Sequence, residues 1–260
     1  MRVPVVQQHI RRRRALRRRV LWTGGELLVT AGVVLLLLVV QQLWWTNREA
    51  RQGAERQVQA LERQWATQTP APGATSTPAN TAAGDGSSPH RTTTATTATT
   101  GSGGSTTTLH PSQAYAILTI PRLHLRVPIA EGVSKQKVLN KGYVGHYPGT
   151  QQPGQAGNFA LAGHRNTHGE PFRYLPRLRL KDTVQVETST AIYTYTVDKI
   201  LPQTSAADSG VIRPVPRSTV KPSYGYSRPG YYITLTTCTP EFTSRYRMVV
   251  WGTLTSTRSR

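Results

Sequence analysis

Residues Thr234 to Pro240, "TLTTCTP", hold Cys238, the one cysteine in a chain of 260 residues. Without a second cysteine it cannot close an intrachain disulfide. It is then a small buried residue, an intermolecular partner or a nucleophile. A thiol nucleophile needs an acid or base within hydrogen-bond reach and a group that stabilises the oxyanion. Among the histidines from position 110 onward, His164 stands out, because it directly follows "NFALAG" at the end of an expected strand. Small Ala162 and Gly163 leave room there for a substrate. Cys238 also ends an expected strand, 74 residues later. Two strand ends in one small barrel can meet across that separation. The third candidate is Arg247 in "SRYRMVVWG". Strand residues alternate faces, so Arg245 and Arg247 share one face and Met248 and Val250 the other. A guanidinium stays charged at any working pH, and its fork of donors suits a carbonyl turning into an oxyanion.

Other chemistries fit less well. His164 and His168 form an H-x-x-x-H pair. Arg165 stands where a zinc protease carries its glutamate, and the segment is a Gly/Pro-rich turn rather than a helix. No metal and no cofactor are expected. His110, His124 and His146 read as surface or structural residues.

The candidate residues need a scaffold. "YAILTI" (Tyr115–Ile120) alternates and is β-branched, so it reads as a strand. Further strands are expected at 158–163, 183–188, 191–201, 231–238 and 246–254, with short helical pieces at 134–140 and 171–178. Short strands separated by Gly/Pro-rich turns indicate an all-β sandwich or barrel. This folded domain is expected over residues 111–257.

What precedes it is different in kind. Residues 1–20 form a basic segment, with "RRRRALRRR" at Arg11–Arg19. Residues 21–45 contain the uncharged run "LLVTAGVVLLLLVV" (Leu27–Val40), flanked by Trp22 and by Trp44–Trp45. About 20 apolar residues span a bilayer core, and tryptophans mark its interfaces. The run is long for a signal peptide, and no small-residue cleavage site follows it. An uncleaved transmembrane anchor is expected, with the arginines holding the N-terminus in the cytoplasm. Residues 46–65 read as a short juxtamembrane helix, a solvated extension of the anchor. Residues 66–110 collapse to Thr, Ala, Gly, Ser and Pro, a disordered tether spanning about 35 Å. Such a tether would let the domain work away from the membrane or serve as a passive linker.

The chain carries 32 Lys+Arg against 12 Asp+Glu, a net +20. Residues 113–257 alone carry +10. Bulk charge admits nucleic acid, anionic lipid and acidic polymers. The N-terminal arginines are explained by the anchor, and nothing else resembles a nucleic-acid module. No nucleic acid is expected.

"TLTTC" resembles the sortase signature Thr-Leu-any-Thr-Cys. "NFALAGHR" (Asn158–Arg165) is similar to the segment carrying the sortase histidine, and Arg247 sits on the following strand as the family's arginine does. The resemblance runs from Ile117 to Gly252 and includes "GHYPGT" (Gly145–Thr150) and "PGQAGN" (Pro153–Asn158). It is greatest to class E, the housekeeping-type sortases of high-GC Gram-positive bacteria. The resemblance implies an eight-stranded closed β-barrel. It implies a membrane-anchored, extracellular cysteine transpeptidase. Cys238 would attack the Thr–Gly amide of a C-terminal sorting signal on secreted proteins, of the LAXTG or LPXTG type. His164 would protonate the leaving amine and deprotonate the incoming one, an amine of a peptidoglycan precursor. Arg247 would hold the oxyanion. Thr237, beside the nucleophile, would position the acyl centre. Tyr147 would support the alanine preference of class E signals. Two other functions remain compatible with the residues. One is a thiol hydrolase that passes the same acyl group to water. The other is a non-catalytic basic module that binds wall polymers.

Overall fold

The computed structural model describes residues 6–68 and 110–260. Of the tether expected over 66–110, residues 66–68 belong to a helix, and residues 69–109 lie outside the described residues. From Val6 on, the expected basic segment, anchor and juxtamembrane helix form one continuous helix, α1 (Val6–Gln68), and residues 1–5 lie outside the described residues. Within it, Leu21–Thr67 is long and apolar enough to cross a membrane. Leu35 and Leu36 are 66% and 62% exposed, as are their apolar neighbours on all sides of the helix. An all-round apolar surface with no protein cover is what lipid would bury. Leu27 to Trp45 spans about 28 Å at the helical rise, close to the bilayer core.

Beyond Trp45 the same helix changes its partner. Ala50, Ala54, Val58, Leu61 and Trp65 are all buried. Their spacing of four, four, three and four residues draws one stripe along the helix. Val58, Leu61 and Trp65 pack with Ala114, Ile117, Ala130, Val138 and Leu139 of the folded domain. Glu62 pairs with Arg126 at 2.8 Å, and the Arg260 guanidinium lies over the Trp65 ring. Burying Val58, Leu61 and Trp65 stabilises the contact by about 1.5–3 kcal/mol each. The juxtamembrane segment is therefore a docked element, not a solvated extension. The domain grips the helix from Asn47 on.

The domain is a closed barrel of eight strands: β1 (Ala114–Ile120), β2 (Leu125–Glu131), β3 (Val144–His146), β4 (Gly157–Ala162), β5 (Thr183–Glu187), β6 (Ala191–Ser205), β7 (Tyr231–Thr239) and β8 (Tyr246–Ser259). Round the barrel the order is β1-β2-β3-β4-β7-β8-β6-β5. β2/β3 and β4/β7 are parallel, and the other neighbours are antiparallel. Closure leaves no edge strand to pair with another chain. The sequence reading lacked β2 and β3. Pro128 interrupts β2, but β3 pairs β2 only from Ile129 onward, so the proline's missing N–H costs no bond to it. The helical pieces expected at 134–140 and 171–178 are turns with single 3-10 segments at Leu139–Lys141 and Leu175–Arg177.

Alternate residues fill the barrel. Phe159 and Leu161 of β4, Ile233 and Leu235 of β7, and Met248 and Val250 of β8 join one core. The outer face of β7 and β8 is covered too. The β6–β7 connection lays Val211, Ile212 and Tyr226 over Val249 and Trp251, and the Trp251 Nε1–H donates to Val211 O at 3.1 Å. Asp208 pins this connection. Its carboxylate accepts from the hydroxyls of Thr204 (2.6 Å), Ser218 (2.5 Å) and Thr219 (2.9 Å) and from the Thr219 N–H (2.9 Å). These bonds hold its carboxyl below the usual range against the opposing effect of burial.

Candidate active site

Every pair of the parallel β4/β7 ladder, from Gly157↔Tyr231 to Ala162↔Thr236, joins residues 74 apart. His164 and Cys238 share that offset. The register continues past the end of β4: the Gly163 N–H donates to Thr236 O at 3.1 Å, the Thr237 hydroxyl to Gly163 O at 2.9 Å, and Arg165 Nη1 to Cys238 O at 3.2 Å. His164 thus lies beside Cys238 through bonds made on both sides of it. Across the other edge of β7, Cys238 is the register partner of Arg247. Histidine, cysteine and arginine come from three adjacent strand ends, as expected from their placement in the sequence.

Alternation decides which neighbours share their face. Ile233 and Leu235 point into the barrel, so Thr234, Thr236 and Cys238 occupy the outer face. Thr236 and Arg247 line a cleft of about 220 Å³ with Tyr147, and Asp208, Val211 and Ile212 form the facing wall. The Thr236 hydroxyl donates to Leu161 O, and the Tyr147 O–H donates to Thr236 Oγ1 at 3.1 Å. Thr237 is on the opposite face from Cys238, 2% exposed. Its side chain ties β7 to the backbone before His164 and does not line the cleft.

The Arg247 guanidinium is steadied by its own hairpin, donating from Nη1 to Ser244 O (2.8 Å) and Tyr246 O (3.0 Å). Arg165 brings a second guanidinium to the backbone of the cysteine, donating to Thr239 Oγ1 as well. The His164 Nε2–H donates to Asn140 Oδ1 at 2.9 Å, which leaves Nδ1 as the basic nitrogen. The His164 ring also stacks on His168 with centroids 5.3 Å apart. Burial, then the His168 ring and the Lys135 charge, push His164 down from 6.5 to about 4. It is neutral at pH 7. Asn140, Arg165 and Thr236 were not singled out from sequence. The usable signals were alternation for Thr236 and the shared 74-residue offset for Arg165. Asn140 had none, because only chain closure brings it to His164.

Beneath Tyr147 lies a buried polar set. His146 Nδ1 meets Glu131 Oε2 at 2.7 Å, and its Nε2 meets Thr150 Oγ1 at 2.9 Å. His146 is structural, and it fixes the turn that presents Tyr147.

A family model described as the sortase domain matches residues 118–255. The chain is 52% identical over 155 residues to sortase SrtE1 of Streptomyces coelicolor, covering 58% of this chain and 43% of that protein. It is 36% identical to sortase SrtE2 of the same organism, covering 54% of this chain and 55% of the relative. The chain thus spans about half the length of these curated relatives. Among solved structures it is similar to sortase E1 from Streptomyces coelicolor with a tripeptide in the active site. The TM-score is 0.55 at 52% identity, covering 58% of this chain and 94% of that one. It is also similar to sortase E from Streptomyces avermitilis, with a TM-score of 0.51 at 40% identity, covering 58% and 93%.

Proposed function

Because the chain belongs to the sortase family, we propose that it is a membrane-anchored cysteine transpeptidase acting on C-terminal sorting signals of secreted proteins. The observation that carries this reading is the common 74-residue offset that sets His164 beside Cys238 on a parallel strand pair, with Arg247 across the ladder.

The neutral His164 takes the thiol proton as Cys238 Sγ attacks the Thr carbonyl carbon of the signal. The carbonyl oxygen becomes an oxyanion beside the Arg247 guanidinium, where fixed positive charge lowers the barrier most. Imidazolium returns the proton to the glycine nitrogen, the C–N bond breaks, and the glycine-led peptide leaves. A thioester remains on Cys238. An amine of a peptidoglycan precursor then attacks it, losing a proton to His164, and the thiol is restored with one new amide in place of the old.

Tyr147 and Thr236 line the cleft on the face of Cys238, where the signal binds. Tyr147 supports LAXTG over LPXTG there. Thr237 acts through Gly163 as a positioning residue. Leu21–Trp45 spans the membrane once, with the arginine-rich N-terminus in the cytoplasm and the barrel outside.

The test is mass spectrometry of the full chain in detergent with Ala-type and Pro-type signal peptides and an added amine. Amine-joined product, lost in Cys238→Ala, is expected. Undiminished joining by that variant would refute the mechanism, and free Thr acid despite excess amine would replace transpeptidation with hydrolysis.

A further inference from the structure

The loop that carries His164 is costly on its own terms. His168, Gly169 and Glu170 take positive φ in succession, at 53°, 83° and 53°. Two of the three are not glycine, and such conformations persist only where the surroundings hold them. Arg165 Nε, Asn166 Oδ1 and His168 Nδ1 are buried without a hydrogen-bond partner among the described residues. A segment with this much local strain needs an outside grip.

α1 provides it. Asn47 Nδ2 donates to Glu170 Oε1 at 2.9 Å, and the Gly169 N–H donates to Asn47 Oδ1 at 3.3 Å. One turn on, Arg51 donates from Nε to Gly169 O at 3.2 Å and from Nη2 to Glu170 Oε2 at 2.9 Å. The Glu170 side chain is 4% exposed, and Arg173 completes its pairing at 2.8 Å. A buried carboxylate held by two guanidiniums and an amide is a fixed point rather than a surface contact. The second support of His164 is mounted on the same helix. Asn140, the partner of Nε2, lies in the 3-10 turn Leu139–Lys141, and Leu139 packs against Val58 and Leu61. The turn ends at Gly142 because the helix leaves no room. A Cβ there would stand 2.8 Å from Ala50 O. The stacking partner and the hydrogen-bond partner of the His164 ring thus both ride on segments that α1 holds.

We propose that Asn47 and Arg51 of the juxtamembrane helix are positioning residues for His164. The helix that leaves the membrane sets the acid–base group of the site, so the anchor is a working part of the catalytic machinery. The kinetic arm of the test rests on the transpeptidase reading, whereas the exchange arm does not.

The test uses the full chain in detergent. Wild type, Asn47→Ala/Arg51→Ala and Arg51→Lys are compared for peptide-joining kinetics and for hydrogen–deuterium exchange of residues 163–173. The apolar stripe from Ala50 to Trp65 is untouched, so the helix stays docked. Faster exchange over 163–173 is expected in the double variant. A kcat lower by roughly ten- to a hundredfold, with KM changed less than twofold, is expected from loss of alignment. Arg51→Lys should recover part of kcat, since it keeps one donor and the charge. Unchanged exchange and kcat in the double variant would overturn the proposal, as would a loss confined to KM. If the wild type joins no peptide, the transpeptidase reading falls. The exchange data alone then decide whether the helix holds this loop, faster exchange supporting it and equal exchange overturning it.

Discussion

The resting state of the histidine makes a sharp pH prediction. Burial is the largest cause of the shift in His164, the neighbouring His168 ring the second and Lys135 the third. All three disfavour imidazolium, so the ring is neutral above about 4 rather than above 6.5. At pH 5.5 such a histidine is about 97% neutral, whereas an ordinary one is about 9% neutral. If neutral His164 takes the proton from Cys238, kcat/KM should hold near its plateau down to pH 5.5 and halve near pH 4. The contrast at pH 5.5 between the two cases is about tenfold, well outside assay error. His168→Gln removes the second cause and leaves the first. Its acid limb should therefore move up but stay below 6.5. The assay is cleavage of a fluorescence-quenched signal peptide from pH 3.5 to 8, with near-ultraviolet circular dichroism to confirm the fold at each point. Half-activity at pH 6.5 in the wild type would refute the reasoning. So would a rate that rises as the pH falls from 7 to 5, which would require imidazolium in the reactive state.

Two further outcomes follow from the cleft. Arg247→Ala should lower kcat/KM by about 10²–10³-fold, the usual effect of losing an oxyanion donor. Arg247→Lys should recover only part, because one ammonium cannot bond the hairpin carbonyls and face the cleft together. Peptide-joining kinetics would show both. Asp208→Ala strands the Thr204 and Ser218 hydroxyls, each 2% exposed, without their acceptor. At about 1–3 kcal/mol for each unsatisfied group, the loss should be about 2–6 kcal/mol, read as a lower midpoint in urea denaturation. Because the folded state holds the Asp208 carboxyl down, its contribution is full above pH 3.8 and fades as the pH falls below that.

The candidate chemistry was legible because it sits at strand ends. "TLTTC" and "NFALAGH" carry Cys238 and His164 at the ends of expected strands, so their placement alone drew attention to both positions. Face assignment was legible for Arg247, and the same alternation applied to β7 also marks Thr236 as sharing the face of Cys238. β2 escaped because Pro128 speaks against a strand, and only the short reach of β3 makes that proline harmless. The docking stripe on α1 escaped for a different reason. Two of its five members are alanines, and Gln, Arg and Glu crowd the positions between them, so the stripe becomes visible only against the surface it meets. Asn140 and Glu170 act through partners 24 and 119 residues away along the chain. No local pattern encodes such contacts, because they depend on how two loops of the barrel and helix α1 come together.

The parallel pairing of β4 with β7 has a consequence for how this scaffold tolerates change. Backbone bonds between the two strands, and not the number of residues joining them, set histidine and cysteine side by side. The connecting stretch leaves His164, builds β5, β6 and the strap over β8, and returns at Tyr231. Lengthening it costs little in closure entropy, since each doubling of a loop adds only about 0.6 kcal/mol. Residues inserted between 206 and 212 would reshape the wall of the cleft and leave the His164–Cys238 pair where it is. A slip of one residue in the ladder would instead turn Cys238 into the barrel interior. The fold therefore separates a variable part, which can be rewritten without moving the strands, from an alignment that a single register holds constant.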